Sequence, residues 1–216
     1  MKAEDFRPVS NTPPENISGF LKFYGRMVLD LQICTIYRDV KKTIPAFEGK
    51  VLDIGCGQSP YRFLLNRNKT SYSGIDIADA ASFDYDNKDI TPFNGRDIPF
   101  EDGIFDAFIC TEVMEHVEDY ERLTSEILRV CRKGAKGIIT IPWSARYHYI
   151  PYDYFRYTPS TLKKMYSAFN KVIILNRGTD VTSIASKIIV LYFRNLLPKK
   201  FINGCLCQSG YYCRHY

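Results

Sequence analysis

The sequence predicts an α/β domain with a doubly wound, mostly parallel sheet. Between residues 51 and 142, short apolar runs with strand character alternate with stretches of helical periodicity. This alternation is typical of parallel strands joined by crossover helices. The first apolar run leads into two closely spaced glycines. With 216 residues, the chain is long enough for one well-buried core, so we expect a single domain.

The first predicted strand lies in the stretch KVLDIGCGQ, residues 50–58. Its apolar residues, which suit a buried parallel strand, are Val51, Leu52 and Ile54. Gly55 and Gly57 follow the strand and allow the backbone to bend sharply and to approach a ligand closely. We therefore expect a small adenosine-containing ligand at this turn.

The turn does not match the dinucleotide-binding pattern G-x-G-x-x-G. Pro60 stands at the position of the third glycine, and Asp53 would place a negative charge beside the cofactor phosphates, so NAD is disfavoured. The stretch instead resembles the first motif, D/E-x-G-x-G, of class I methyltransferases that use S-adenosylmethionine. This resemblance implies a Rossmann-like sheet of the seven-strand type. It also implies cofactor contacts from Asp53, Gly55, Cys56 and Gly57.

A second strand is predicted at Ser71–Ile77, and an acidic residue, Asp76, lies at its end. A carboxylate at this position can accept hydrogen bonds from both ribose hydroxyls of an adenosine group. A solvated turn aspartate is the alternative. A third strand is expected within Ala80–Asp89. The resemblance implies further cofactor contacts from Ile77, Asp89 and Ile90.

The fourth and central strand is predicted at Phe105–Cys110, within a segment, DIPFEDGIFDAFICTEVMEHVED, that starts at Asp97. This segment resembles the family phrase D-x-PF-x-D-x-x-FD and implies cofactor contacts from Thr111 and Glu112. The acidic loop that follows would suit the cationic sulfonium and ammonium groups of the cofactor; ordinary helix-surface charges are the alternative. His116 is expected to be a structural hydrogen-bonding residue.

The stretch Pro142–Thr158 contains seven aromatic residues, which is typical of a loop that forms a pocket wall. Its phrase P-x-D-Y-F-R-Y-T resembles one in a subgroup of these methyltransferases, many of them associated with small-molecule or cell-surface glycan biosynthesis. The substrate-binding candidates in this phrase are Tyr152, Asp153, Tyr154 and Arg156. Asp153 and Arg156 would equally suit an ion pair that braces the loop.

His148 lies in the same stretch and is the candidate catalytic residue. An unperturbed imidazole titrates near neutral pH, so it can accept the proton of a hydroxyl acceptor. The methyl group would move by in-line displacement at the sulfonium methyl carbon, and the rate would depend mainly on how the acceptor is held. A base is needed only where the acceptor must lose a proton.

The remaining elements follow from apolar periodicity and from capping residues. An N-terminal helix capped by Asn16 or Ser18 should run to about Thr43. The other predicted elements are a helix at Tyr120–Cys131, a strand at Gly137–Pro142, a helix at Pro159–Phe169, a strand at Lys171–Leu175 and an apolar helix at Val181–Leu197. This last helix departs from the family, which usually closes with an antiparallel seventh strand. The last strand, at Gly210–Arg214, is therefore expected to be short or atypical.

The net charge of +5 comes from the C-terminal part of the chain. No Asp or Glu follows Asp180, whereas five basic residues do: Lys187, Arg194, Lys199, Lys200 and Arg214. The neutral remainder argues against a nucleic-acid partner. An apolar helix with only basic charges, such as 181–197, suits either a second subunit or an anionic membrane surface. The subunit interface is favoured.

The seven cysteines are odd in number, and four of them lie in apolar or glycine-rich contexts that are typical of reduced thiols. The C-terminal Cys205 and Cys207 are spaced more closely than in common zinc sites, so no metal is expected. No signal peptide is apparent, and Ile188–Phe193, the longest apolar run near the C-terminus, is far shorter than the ~18 residues of a membrane span. These features predict a cytoplasmic protein.

The domain organisation is predicted as an N-terminal arm and helix at 1–47, a cofactor-binding core at 48–175 and a divergent C-terminal part at 176–216. The predicted function is S-adenosylmethionine-dependent methyl transfer to a small-molecule or glycan hydroxyl. Two alternatives stay open. One is a non-catalytic cofactor- or partner-binding module of the same fold, and the other is a methyltransferase that acts on protein or nucleic acid.

Overall fold

A computed structural model describes residues 13–77, 90–145 and 152–196. The strands are β1 (Gly49–Ile54), β2 (Thr70–Ile77), β3 (Ile90–Phe93), β4 (Phe105–Thr111) and β5 (Cys131–Thr140). They form one sheet in the order β3-β2-β1-β4-β5, and every pair of neighbours is parallel. The parallel α/β architecture is confirmed, with five strands in this part of the chain where seven were expected.

The helices flank this sheet in the layered manner of an α/β fold. They are α1 (Ile17–Leu29), α2 (Leu31–Thr43), α3 (Tyr120–Val130), α4 (Pro159–Met165) and α5 (Asp180–Leu196). Of these helices, none is both long enough and apolar enough to cross a membrane. The apolar helix predicted at 181–197 corresponds to α5.

The single N-terminal helix predicted up to Thr43 is wrong, because the helix breaks at Asp30. Asn16 caps α1, as expected. Asp30 then has an extended backbone, and its N–H donates to the carbonyl oxygen of Arg26 at the end of α1. Its side chain accepts hydrogen bonds from the backbone N–H groups of Gln32 and Ile33, at 3.0 and 3.2 Å. One aspartate therefore ends the first helix and caps the second.

Two apolar layers cover the sheet, because successive side chains of a strand point to opposite faces. Leu52 faces the layer that contains α3, together with Ile127 of that helix. Val51 faces the layer formed by α1 and α2, where it packs with Phe23 and Val40. All these side chains are almost fully buried. The sheet is thus held between the helices, and its carboxyl edge remains the place where loops gather.

Two strand predictions in the second half need correction. The strand expected from Gly137 begins at Cys131, directly after α3, and its pairing with β4 is irregular between Phe105 and Ala107. The strand expected at Lys171–Leu175 does not form, because these residues lie outside any helix or strand. Its apolar side chains are exposed instead. Strand-like composition does not guarantee a pairing partner, because pairing is a long-range property.

Candidate active site

The candidate site lies where the strand order reverses. From β1 the chain proceeds to β2 and β3 on one side, whereas β4 and β5 lie on the other side of β1. The carboxyl ends of β1 and β4 are therefore adjacent, at the point where open α/β sheets have a crevice. Ligands of open α/β sheets bind in this crevice. The structure brings the predicted glycine turn and the predicted acidic loop to this edge.

The glycine turn after β1 needs glycine for two reasons. Gly55 and Gly57 have φ values of 63° and 49°, which lie in the left-handed region that other residues adopt at a cost. A Cβ atom on Gly55 would also lie 2.4 Å from Cγ2 of Val113, in the loop after β4. The two loops thus pack directly against each other, and only glycine allows this approach.

Asp76 joins the end of β2 to the glycine turn. One carboxylate oxygen accepts a hydrogen bond from the Gly57 N–H at 2.8 Å, and the other accepts from the Ile77 N–H at 2.8 Å. Burial raises the pKa of Asp76, and the two backbone hydrogen bonds oppose that shift. Because a carboxylate has about four acceptor positions, Asp76 keeps acceptor capacity for the hydroxyl groups of a ligand.

Asp53 lies beneath the turn and belongs to a hydrogen-bond network that was not predicted from the sequence. The hydroxyl of Tyr72 donates to Asp53 Oδ2 at 2.7 Å, and it lies 2.6 Å from Ser59 Oγ. Asp53 faces Gly74 of β2, so no side chain separates it from Tyr72, which lies two residues earlier on the same strand face. The alternation Tyr72, Gly74, Asp76 was the available signal. The predicted cofactor contact of Asp53 stays a prediction.

Burial raises the pKa of Asp53 to about 7, and the charge of Asp76 adds to the shift while the Tyr72 hydrogen bond opposes it. A raised pKa stabilises the folded protein fully at low pH, and that contribution disappears as the pH rises towards 7. We therefore expect the free energy of unfolding to fall by about 2 kcal/mol from about pH 5.5 to about pH 7.5.

Urea denaturation at the two pH values measures this dependence on Asp53. Asp53→Asn cannot ionise and keeps an acceptor for Tyr72, so it should remove most of the difference. Asp102→Asn, at an exposed acid, should retain it. If the Asp53 variant kept the full difference in free energy of unfolding between the two pH values, other groups would be the cause of the pH dependence.

The predicted cofactor residue Thr111 ends β4, and Glu112 follows it with a φ of 54°. This conformation is strained for a residue with a side chain, and such residues concentrate at functional sites. The Glu112 carboxylate accepts from Gln32 Nε2 at 2.7 Å and from Arg177 Nη1 at 2.9 Å. Residues from the start of α2 and from the segment before α5 therefore converge on the carboxyl edge. Neither contact was predicted, because both partners are distant in sequence.

Breaking this contact should destabilise the protein. Arg177→Met keeps the apolar stem but removes the charge, so it should lower the free energy of unfolding by about 1.5–3 kcal/mol, as for a partly buried charged hydrogen bond. Urea denaturation measures the change. Lys69→Met breaks an ion pair of similar length with Glu48 that is exposed, and solvent should make its loss almost neutral. Equal effects of the two variants would contradict the role given to Arg177.

The aromatic stretch packs on the loop after β4. His116 Nδ1 donates to the carbonyl oxygen of Tyr152 at 2.5 Å, which fits the structural role expected of this histidine. The backbone N–H groups of Tyr154 and Phe155 both donate to the carbonyl oxygen of Glu115. Tyr152 and Tyr154 are exposed. The structure thus packs the described part of the aromatic stretch against the loop after β4, although the two segments are far apart in the sequence.

Asp153 and Arg156 form the ion pair that was one of the two sequence interpretations. Arg156 Nη1 and Nη2 donate to the two oxygens of Asp153 at 2.5 and 2.8 Å. Arg156 also donates to the carbonyl oxygens of Ala145 and Phe155. The side chain of Asp153 is almost fully buried. This geometry supports the bracing role, while substrate contact by the pair stays a prediction.

His148 and Asp89 lie outside the described residues, as do the C-terminal cysteines. Ile90 was expected after the third strand, but it begins β3 opposite Gly74, three residues before the carboxyl end at Phe93. Its expected position at the strand end is therefore wrong. Cys56 is buried, and a Cβ on Gly74 would lie 2.8 Å from its sulfur, so its side chain packs over β2.

Residues 52–139 match a family model described as a methyltransferase domain. A phosphatidylethanolamine N-methyltransferase of Cereibacter sphaeroides is 25% identical over 134 residues, which are 62% of this chain and 59% of that protein. An uncharacterised protein of Methanocaldococcus jannaschii is 28% identical over 132 residues, 59% of this chain and 56% of that one. The chain thus spans a little more than half the length of these relatives.

Among solved structures, an S-adenosylmethionine-dependent methyltransferase from Aquifex aeolicus has a TM-score of 0.51 over 72% of this chain and 87% of that one. At 17% identity, this similarity shows the fold alone. The matched domain extends from β1 to β5 and includes the glycine turn, Asp76 and Glu112. The domain match implies S-adenosylmethionine as the cofactor.

Proposed function

Starting from a methyltransferase domain at residues 52–139, we propose that this protein transfers the methyl group of S-adenosylmethionine to a hydroxyl of a small molecule or glycan. The observation that carries the proposal is the carboxylate of Asp76, which the Gly57 N–H holds at the carboxyl edge of the sheet. It is half-buried and retains acceptor capacity. A ribose with two hydroxyl donors complements such a group.

The residues at the edge fit this cofactor. Gly55 and Gly57 leave the backbone of the turn open to close approach, and Asp76 would hold the ribose. Glu112 places a carboxylate at the end of β4, where hydrogen bonds from Gln32 and Arg177 fix its position. Its remaining acceptor positions would suit the ammonium group of the cofactor. The neighbouring Tyr72–Asp53 hydrogen bond fixes the turn from below.

When bound, the cofactor supplies an activated methyl group on a sulfonium centre. The contribution of the chain is to hold an acceptor oxygen in line at about 3 Å and to exclude water, which accounts for most of the acceleration in such a displacement. Tyr152 and Tyr154, exposed beside the loop after β4, would form one wall of the acceptor pocket. His148 would take the proton from the acceptor hydroxyl.

A second candidate is methyl transfer to an amine. The similarity to a phosphatidylethanolamine N-methyltransferase favours it. The absence of an N-P-P-Y or D-P-P-Y phrase at Thr111 argues against amide and exocyclic-amine targets of that kind. Incubation of the protein and methyl-labelled S-adenosylmethionine with extracted metabolites and lipids separates the two reactions. The labelled product is an ether in one case and a methylated amine in the other.

The cofactor assignment is tested first. We expect calorimetric titration to show binding of S-adenosylmethionine and of its demethylated product, and no binding of NAD, because Asp53 and Pro60 are incompatible with a pyrophosphate at the turn. Circular dichroism confirms that the sample is folded. Absence of heat with both adenosyl ligands would overturn the assignment. Binding without any label transfer would favour a non-catalytic cofactor-binding module.

A further inference from the structure

Two helices expose apolar faces to solvent. On α5 these residues recur at intervals of three or four and are 58–74% exposed: Val181, Ile184, Ile188 and Tyr192. On α1 a similar set is 52–83% exposed: Ile17, Phe20, Leu21 and Val28. Intervals of three and four place residues on one face of a helix. Contiguous apolar surface of this kind marks an interaction site more often than isolated exposed residues do.

Both helices have one end near the candidate active site. α2 packs against both α1 and α5. The residue that caps α2, Asp30, directly follows α1, and Arg177 precedes α5 by three residues. Gln32 and Arg177 both bind the carboxylate of Glu112 at the end of β4. The C-terminal end of α1 and the N-terminal end of α5 therefore meet at the carboxyl edge of the sheet.

The charges on these helices are mostly positive. Between Ile17 and Leu29, α1 contains Lys22 and Arg26 and no acidic residue. α5 contains Lys187 and Arg194, and its single acidic residue, Asp180, stands at the first position. No acidic residue follows Asp180 in the chain. An apolar helical face flanked by basic residues is the pattern of helices that lie in the interface of an anionic membrane.

We propose that the exposed faces of α1 and α5 form a docking surface for an anionic lipid bilayer. The apolar residues enter the boundary between headgroups and acyl chains, while the exposed side chains of Lys22 and Lys187 contact the acidic headgroups. Arg26 is half-buried beside Asp30 and Tyr61 and takes no part in this contact. The helices lie on the membrane and do not cross it. Because one end of each helix lies at the carboxyl edge of the sheet, docking brings the mouth of the site close to the lipid.

A second copy of the chain fits this surface less well. A two-fold interface pairs one patch with the same patch of the partner. It would bring two patches of the same positive sign together, and opposed like charges weaken association. The charge therefore favours a bilayer over the subunit interface expected from the sequence.

The docking surface also narrows the acceptor class, and this step rests on the proposed function. A site whose mouth faces the bilayer would receive a hydroxyl carried by an amphipathic molecule that resides in the membrane. A lipid or a lipid-linked glycan has this chemistry. Soluble metabolites would not require the exposed apolar faces.

Co-sedimentation with vesicles tests the docking surface independently of cofactor and acceptor. We expect the full chain to sediment with vesicles of phosphatidylglycerol and phosphatidylcholine, and to bind vesicles of phosphatidylcholine alone at least about fivefold more weakly. Binding should decrease as salt increases, because salt screens the attraction. Absence of binding to the anionic vesicles would overturn the proposal.

Variants on α5 identify the surface. Ile188→Glu should weaken partitioning about tenfold, because it replaces an inserted apolar side chain with a charge that the headgroups repel. Ile188→Leu should bind like the parent. Asn68→Glu adds the same charge at an exposed turn just before β2, at the amino edge of the sheet, and should have little effect. Equal binding of the two Glu variants would contradict the assigned surface.

Light scattering without vesicles distinguishes a second copy as the occupant. We expect a monomer. A stable dimer that Ile188→Glu converts to a monomer would replace the proposal with a subunit interface. If vesicles bind but S-adenosylmethionine does not, the docking surface stands and the proposed function fails. If S-adenosylmethionine binds and vesicles do not, the docking surface fails and the proposed function stands.

Discussion

Replacing His148 with alanine should lower the rate of methyl transfer about 10²- to 10⁴-fold, the usual contribution of a positioned general base. In the sequence, His148 lies between Ala145 and Tyr152, the described residues that flank it. The carbonyl oxygen of Ala145 accepts from Arg156, and that of Tyr152 accepts from His116.

The assay follows transfer from methyl-labelled S-adenosylmethionine to the acceptor found by screening. If His148 acts as a base, the rate of the parent should rise with pH through the ordinary histidine pKa, about 6.5, and the variant should lose this dependence. Added imidazole should restore part of the activity. The affinity for S-adenosylmethionine should stay the same, because the proposed adenosine contacts come from other residues. Undiminished label transfer by the variant would remove His148 from the mechanism.

Replacing Asp76 with alanine should weaken S-adenosylmethionine binding roughly 10- to 150-fold. The variant loses hydrogen bonds to a charged acceptor, which contribute about 1.5–3 kcal/mol. It also leaves the Gly57 N–H without the acceptor that positions the turn. Both effects act on binding, so the loss should appear in the dissociation constant measured by calorimetry.

Asp102→Ala is the matched control, because it removes the same charge from an exposed position that bonds Arg129, away from the crevice. Its affinity should equal that of the parent. Asp76→Asn keeps one acceptor oxygen, so its affinity for S-adenosylmethionine should lie between those of the parent and Asp76→Ala. Thermal melting establishes that each variant is folded. Parental affinity in a folded Asp76→Ala protein would show that the ribose is held elsewhere.

The central part of the fold could be predicted from the sequence because buried parallel strands appear there as short apolar runs. The predicted second strand, Ser71–Ile77, differs from β2 by one residue, and the predicted Phe105–Cys110 differs from β4 by one. The first strand and its glycines were also placed correctly. The acidic residues at the strand ends could then be assigned to one edge, since parallel strands all end on the same side of a sheet.

Other elements were misplaced where local signals competed with distant contacts. The break at Asp30 was missed because apolar periodicity continues across it, and capping by a single aspartate decided the boundary. The strand expected at Lys171–Leu175 has suitable residues but no partner to pair with in the part of the chain that is described. Side-chain pattern alone cannot supply that partner.

By itself, the sequence determined the doubly wound core, the glycine turn and the carboxylate of Asp76, because these depend on local patterns and on the fixed direction of parallel strands. Only the tertiary structure decided that Tyr72 reaches Asp53, that Gln32 and Arg177 meet at Glu112, and that α1 and α5 leave apolar faces exposed beside the site. These contacts join residues far apart in the chain. Their existence depends on how the layers pack, which no local pattern encodes.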